Sequence, residues 1–207
     1  TGNYNTAVGS TALFSNTTAS YNTALGYNAL LSSTTGAYST AIGNEAGRSI
    51  TTNNGTFIGA NAGRNTTGSA NNFFGCNNAG VGAGYFVTTG SKNTIIGAYH
   101  GNQGGLDIRT SSNNIVLSDG DGNVRMYVTS SGDFFFNQVS TSSPGFGNTT
   151  AGAVISDSGR LFSSVNGASS SFNRNTDNGE LIQMRRSGTQ VGSISVTTSS
   201  TAYNTSS

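Results

Sequence analysis

Much that stabilises or equips an ordinary protein is scarce in this chain of 207 residues. Tryptophan is absent, and proline, cysteine and histidine occur once each, as Pro144, Cys76 and His100. One cysteine and one histidine exclude an intrachain disulfide framework and a Cys/His zinc centre. Charged residues make up 8% of the chain, and the formal net charge is +1. So neutral a chain is a poor partner for nucleic acid or an anionic bilayer, and neither is expected. No apolar run approaches the about 18 residues of a membrane span, so no membrane insertion is expected. What is present is uncharged and polar, since Gly, Ser, Thr and Asn supply more than half of all residues. Disordered chains of comparable polarity are rich in charge or proline, and this one has neither.

The order behind this composition is a repeat. Asn5-Thr6-Ala7-Val8-Gly9 returns as Asn22-Thr23-Ala24-Leu25-Gly26, Ser39-Thr40-Ala41-Ile42-Gly43 and Gly55-Thr56-Phe57-Ile58-Gly59. Looser copies follow as Asn71-Asn72-Phe73-Phe74-Gly75, Asn93-Thr94-Ile95-Ile96-Gly97 and Asn113-Asn114-Ile115-Val116-Leu117. The starts at 5, 22, 39, 55, 71, 93 and 113 are separated by 17, 17, 16, 16, 22 and 20 residues. That unit is too short for a helix pair. It suits short strands joined by Gly, Asn and Thr turns, one coil of a β-roll or β-helix. In register, coils stack Thr over Thr and Asn over Asn about 4.8 Å apart. Such ladders let a polar sequence fold.

Within each motif the side chains alternate, so Thr6 and Val8 share one face and Ala7 takes the other. The larger aliphatics predict the repeat core: Val8, Leu25, Ile42, Ile58, Phe74, Ile96 and Val116. The opposite file, Ala7, Ala24, Ala41, Phe57, Phe73, Ile95 and Ile115, is then left wet in a single chain. A homotrimer burying that file as its interface is the simplest remedy. Segments 81–91 and 99–110 read as insertions in the repeat, and insertions in a solenoid form loops on one face, often a binding face.

NTAVGSTAL, NTALGYNAL and STAIGNEAG resemble the head repeats of trimeric autotransporter adhesins, and resemble the repeats of bacteriophage tail fibres more closely. The resemblance covers residues 1–117 and is strongest through 63. The final stretch, VGSISVTTSSTAYNTSS over 191–207, resembles the segment ahead of the intramolecular chaperone of phage tail fibres, tailspikes and endosialidases. In that family the chaperone trimerises the fibre and is then released by serine-type autoproteolysis after a Ser. The resemblance implies that Ser207 is the processing residue of a matured fibre. The family's downstream Lys, which assists the cut, has no counterpart here. The chain opens inside a repeat at Thr1, so a piece of a longer protein is expected.

Beyond 117 the repeat ceases. Strands are predicted over 121–127 and 133–137 around Ser130-Ser131-Gly132, over 154–163 around Asp157-Ser158-Gly159, and as a hairpin of 180–186 with 189–196 across Ser187-Gly188. A Gly/Ser/Thr connection containing Pro144 spans 142–152. The predicted organisation is a repeat region over 1–117, a hairpin shaft and connection over 118–152, and a C-terminal β region over 153–207. The fold class is all-β: homotrimeric β-roll or β-helix repeats, intertwined or side by side, followed by a β-hairpin-rich shaft or cap.

Catalytic resources are few, and the chain is not read as an enzyme. Asp119-Gly120-Asp121-Gly122-Asn123 opens like a calcium loop, but Ser130 stands where the pattern requires Glu, which favours a hairpin turn. Cys76 reads as a buried thiol. Arg185 and Arg186 alternate to opposite faces of a strand. His100 has no nucleophile motif beside it, so a loop histidine is favoured over a base. No cofactor or metal is expected. Tyr21, Tyr27, Tyr38, Tyr85, Phe86, Tyr99 and Tyr127 have rings that can stack on sugars, and Phe134-Phe135-Phe136, apolar on both faces of its strand, favours packing in a trimer core. Tyr85, Tyr99 and His100, inside the insertions, are the receptor-binding candidates, with packing an equal alternative for the two tyrosines. The expected function is attachment. The chain reads as a trimeric tail fibre of a virion, joined to other tail or baseplate proteins and contacting a host polysaccharide or outer-membrane receptor. The alternatives are a bacterial trimeric adhesin head and a tailspike polysaccharide depolymerase.

Overall fold

The computed structural model describes residues 2–136, 152–164, 172 and 177–205. Among these residues every regular element is a β-strand, and no helix is long and apolar enough to cross a membrane. The chain forms two compact units, 1–165 and 166–207.

The first unit begins as a parallel β-solenoid of about seven coils. The predicted motifs supply its strands: β1 (Thr6–Val8), β2 (Thr23–Leu25), β3 (Thr40–Ile42), β4 (Thr56–Ile58), β5 (Asn72–Phe74) and β6 (Thr94–Ile96). They pair in register, with Thr6 against Thr23, Thr23 against Thr40 and Thr40 against Thr56. Coil six carries a small hairpin, β7 (Asn102–Gln103) and β8 (Leu106–Asp107). The seventh coil strand, β9 (Ile115–Ser118), turns back into β10 (Val124–Val128). Next come β11 (Phe134–Phe136), β12 (Gly152–Ile155) and β13 (Leu161–Ser164), all antiparallel. Parallel coils and antiparallel hairpins therefore share one continuous sheet of 11 strands.

The strands are only three residues long, so turn geometry sets the coil. After each motif comes a glycine with φ between 110° and 135°, at Gly9, Gly26, Gly43, Gly59, Gly75 and Gly97. A Cβ at Gly26 would lie 2.7 Å from the carbonyl carbon of Gly43, so adjacent coils approach too closely for any side chain there. The residue two before each Thr adopts the left-handed region, as in Tyr4, Tyr21 and Tyr38. Asparagine then links the coils. The N–H of Asn22 donates to Asn5 Oδ1 (2.9 Å), and that of Ser39 donates to Asn22 Oδ1 (2.8 Å). Farther along, Asn93 N–H donates to Asn71 Oδ1 and Asn114 N–H to Asn93 Oδ1, both at 2.9 Å. Meanwhile the amide groups of Asn22 and Asn71 donate to loop carbonyls of Gly36 and Gly90.

The period-two alternation holds, but the two faces are exchanged relative to the sequence expectation. Ala24, Ala41, Phe57, Phe73 and Ile95, expected at a trimer interface, are fully buried inside the coils. Ala7, in the edge strand β1, is exposed. Val8, Leu25, Ile42, Ile58, Phe74 and Ile96, expected in the core, point outward; Val8 is 55% and Ile96 50% exposed. The reason lies across the coil: in the first coils Leu13, Leu30 and Ile50 share the buried cluster with the small Ala24 and Ala41, and where glycine replaces the facing Leu, at Gly47 and Gly63, the strand carries Phe57 inward.

The last coil also differs by one residue. Ile95 pairs with Val116 and Thr94 with Ile115, so the step from Asn93 leads to Asn114 and not to Asn113. Asn113 instead holds the left-handed turn position, at φ 62°. One residue of slip inverts a strand's faces. Val116 is therefore buried as expected of a core residue, though it continues the Ala24 file, and Ile115 is on the outer face.

Insertions are placed differently too. Ala83–Gly84 occupy the coil positions of Ala62–Gly63, since Gly63 N–H donates to Ala83 O (2.8 Å). The extra residues of coil five thus lie before Ala83, in a turn held by Asn77, whose Oδ1 accepts from Ala79 and Val81. In coil six the addition is the β7–β8 hairpin within 99–110.

The second unit is a three-stranded antiparallel sheet of β14 (Gly179–Arg186), β15 (Thr189–Val196) and β16 (Thr201–Thr205). Its first hairpin turns at Ser187 (φ 50°) and Gly188 (φ 83°), as expected of a two-residue turn with both centres left-handed. Pro144 and its connection over 142–151 lie outside the described residues, as does Ser207.

Candidate functional site

Stacking turns single residues into files. Along one edge of the solenoid, backbone bonds place Leu31, Arg48, Arg64 and His100 at equivalent positions: Ser15 N–H donates to Leu31 O, Ser32 to Arg48 O, Ser49 to Arg64 O and Phe86 to His100 O. Tyr85 enters the same file through Asn65, whose side-chain amide donates to Tyr85 O (3.0 Å).

This file gathers charge in a chain that has little. Arg64 Nε donates to Glu45 in an ion pair, and Arg48 Nε lies 3.5 Å from the other carboxylate oxygen. Burial pushes the Glu45 carboxyl up, but the bonds from Arg64 and Asn28 and the two guanidinium charges outweigh it and hold it below its ordinary value. The Arg64 guanidinium lies over the Tyr85 ring, 5.5 Å from its centroid, and Nη1 donates to the Tyr85 hydroxyl (3.1 Å). Tyr85 meets Phe86 edge to face (4.8 Å between centroids), and Phe86 meets His100 likewise (5.1 Å). Burial keeps the His100 imidazole below its ordinary value, hence neutral near pH 7.

Of the sequence candidates, Tyr85 and His100 come together here, each half-buried. Tyr99 does not reach the surface. It is fully buried, its hydroxyl donates to Leu106 O (2.7 Å), and burial pushes its phenol up. Tyr99 is a packing residue because its side chain closes coil six beneath the β7–β8 hairpin. Sequence reasoning passed over Arg48 and Arg64. Their signal is the dipeptide Gly47-Arg48 recurring as Gly63-Arg64 at one coil step.

Elsewhere the expected chemistry is differently disposed. Cys76 is a free and exposed thiol, not a buried one, because it sits where coil five leaves the repeat. Asp119 closes the β9–β10 turn: its carboxylate accepts from Asp121 N–H, Asn123 N–H, the Asn123 amide and Arg125. Those bonds, chiefly from Asn123, hold it well below the usual carboxylate range. Tyr4, Tyr21 and Tyr38 form a second aromatic file with 5.0 Å between successive ring centroids. Phe135 points inward, whereas Phe134 and Phe136 point outward. Compared with protein-family models, curated proteins and solved structures, the chain matches none.

Proposed function

We propose that the chain is the stiff, attachment-bearing portion of a homotrimeric fibre, of the kind carried on a virion tail and held there by other tail or baseplate proteins. One observation carries the reading. On the outer face of the sheet, Val8, Leu25, Ile42, Ile58, Phe74, Ile96, Leu117, Met126 and Phe136 follow one another in register. None of the nine is fully buried. A file of large apolar side chains across nine consecutive strands is costly in water, at about 25 cal/mol per Å² of apolar surface left wet. Sister chains packed along the same axis cover it. The interface thus falls on the opposite file from the one the sequence suggested.

A solenoid lacking dense charge fits a mechanical role, since few ion pairs are present to screen or titrate. Attachment then requires a host saccharide or membrane receptor to meet an exposed face of the trimer. Sedimentation velocity of the full chain tests the assembly: a three-chain mass is expected, with Leu25→Asp/Ile58→Asp reduced to single chains. A single-chain mass for the unaltered protein at micromolar concentration removes the proposal. Intact mass of the virion-borne protein tests Ser207 as its matured end.

A further inference from the structure

Arg48 and Arg64 both turn to one carboxylate, Glu45, which leaves a surplus positive charge on this edge. Arg64 is engaged by Glu45 and by Tyr85. Arg48 is held more loosely: its Nε lies 3.5 Å from the Glu45 carboxylate in an ion pair, but that Nε is buried and makes no hydrogen bond. Farther along the same file His100 Nδ1 is likewise buried and unpartnered. Between them lies Phe86, 44% exposed and braced edge-on by Tyr85 and His100. From Arg48 to Tyr85 is two coil steps, about 10 Å at the usual strand spacing and close to the length of a disaccharide. The flanking file is Ser15, Ser32, Ser49 and Asn65, small groups that can meet hydroxyls.

We propose that this edge is a binding site for an acidic saccharide, with the sugar carboxylate on Arg48 and a ring face against Phe86. Aromatic rings accept the C–H face of a pyranose, and a guanidinium recognises a carboxylate through paired N–H donors. A single surplus cation suits a ligand with isolated carboxylates. It does not suit a phosphate polymer, which needs a run of cations. The inference rests on the attachment reading, and names the chemistry of what is attached to.

The test is titration calorimetry of the full chain with trigalacturonate, against maltotriose as the neutral counterpart and inorganic phosphate as a bare anion. Saturable binding of trigalacturonate alone is expected. Arg48→Gln and Phe86→Leu should each weaken it about tenfold or more, the worth of one charge-assisted contact. Both variants should keep the parent's thermal midpoint, and Arg185→Gln should bind as the parent does. Equal binding of maltotriose, no binding of trigalacturonate, or unchanged affinity in both variants overturns the proposal. Adhesion of the fluorescently labelled chain to a panel of bacterial strains separates the two readings. Adhesion that trigalacturonate does not compete, and that Arg48→Gln retains, removes the saccharide site while attachment stands. Trigalacturonate binding without adhesion to any strain removes attachment and leaves the site.

Discussion

Phe57 shows how volume is shared around one coil. Coil two places Ala24 on its strand and Leu30 opposite, whereas coil four places Phe57 on its strand and Gly63 opposite. The backbone does not demand the glycine: Leu30 has φ 50° and Gly63 φ 60°, so both coils turn alike. The ring does demand it, since a Cβ on Gly63 would collide with Phe57, and one on Gly47 would come within 2.7 Å of it. Phe57→Ala should therefore destabilise by about 3–5 kcal/mol, as emptied aromatic sites do. Gly47→Leu should also destabilise, by overpacking. Combined, the two should be less harmful than their sum by about 1–3 kcal/mol, measured by denaturant unfolding of all four proteins; strict additivity would disprove the exchange. This pairing also explains what could not be read from the sequence. Alternation shows that Thr6 and Val8 share a face. It does not say which face is inward, because the deciding volumes, Leu30 and Ile50, sit in the following turn. Cys76 illustrates the same limit: its place after a repeat glycine suggested burial, but coil five departs there. The native protein should react fully with a thiol reagent within minutes, and protection until denaturant is added would contradict the exposure.

At the level of elements, the coil motif was readable wherever composition stayed regular, and β1 to β6 fall on the predicted repeats. The hairpins β10–β11 and β14–β15 were readable through their turn residues. β16 was not, because its Thr201–Thr205 segment carries no alternation of apolar and polar residues. The slip at β9 has a concrete cause. Asn113 and Asn114 are adjacent and chemically identical, and only the hydrogen bonds separate them: Asn114 joins the buried ladder while Asn113 forms the turn. The ladder itself makes a strong prediction. Asn93 accepts from Asn114 N–H and donates to Ser111 O (2.9 Å), while fully buried. Asn93→Ala strands the buried Asn114 N–H and amide, at about 1–3 kcal/mol for a buried group left unpaired, whereas the Ser111 carbonyl lies on an exposed residue that water can reach. Asn113→Ala, one residue away, loses only the left-handed preference of asparagine, about 1 kcal/mol. Thermal or denaturant unfolding should rank Asn93→Ala well below Asn113→Ala, and equal effects would place the register wrongly.

For the whole molecule, acid is a more informative stress than salt. Ion pairs among the described residues are few, and none is fully buried, so ionic strength should move the unfolding midpoint little. Protonation acts on groups whose folded and unfolded affinities differ. Burial lowers the proton affinity of His100 in the fold, whereas the unfolded chain takes up a proton near its ordinary value of about 6.5. The unfolded state then binds more protons, so stability falls as pH drops through that value. A second loss follows lower down. Asp133 is held below its ordinary value by the N–H of Asp157, with Ser131 and Thr129 assisting, and Asp107 by Arg109. Their contributions are present above the ordinary carboxylate value, about 3.9, and vanish as pH falls through the lowered ones. The unfolding midpoint should therefore decline in two stages, near pH 6 and again below pH 4. His100→Asn should abolish the first stage alone. A profile flat from pH 8 to 5 in the parent would show that His100 is not held neutral by the fold. Assembly can be read in the same experiment. The outer apolar file contains no titratable group from Val8 to Phe136, so the mass of the proposed trimer should persist through the first stage, whereas dissociation that tracks His100 would move the proposed interface to the Arg48–His100 edge.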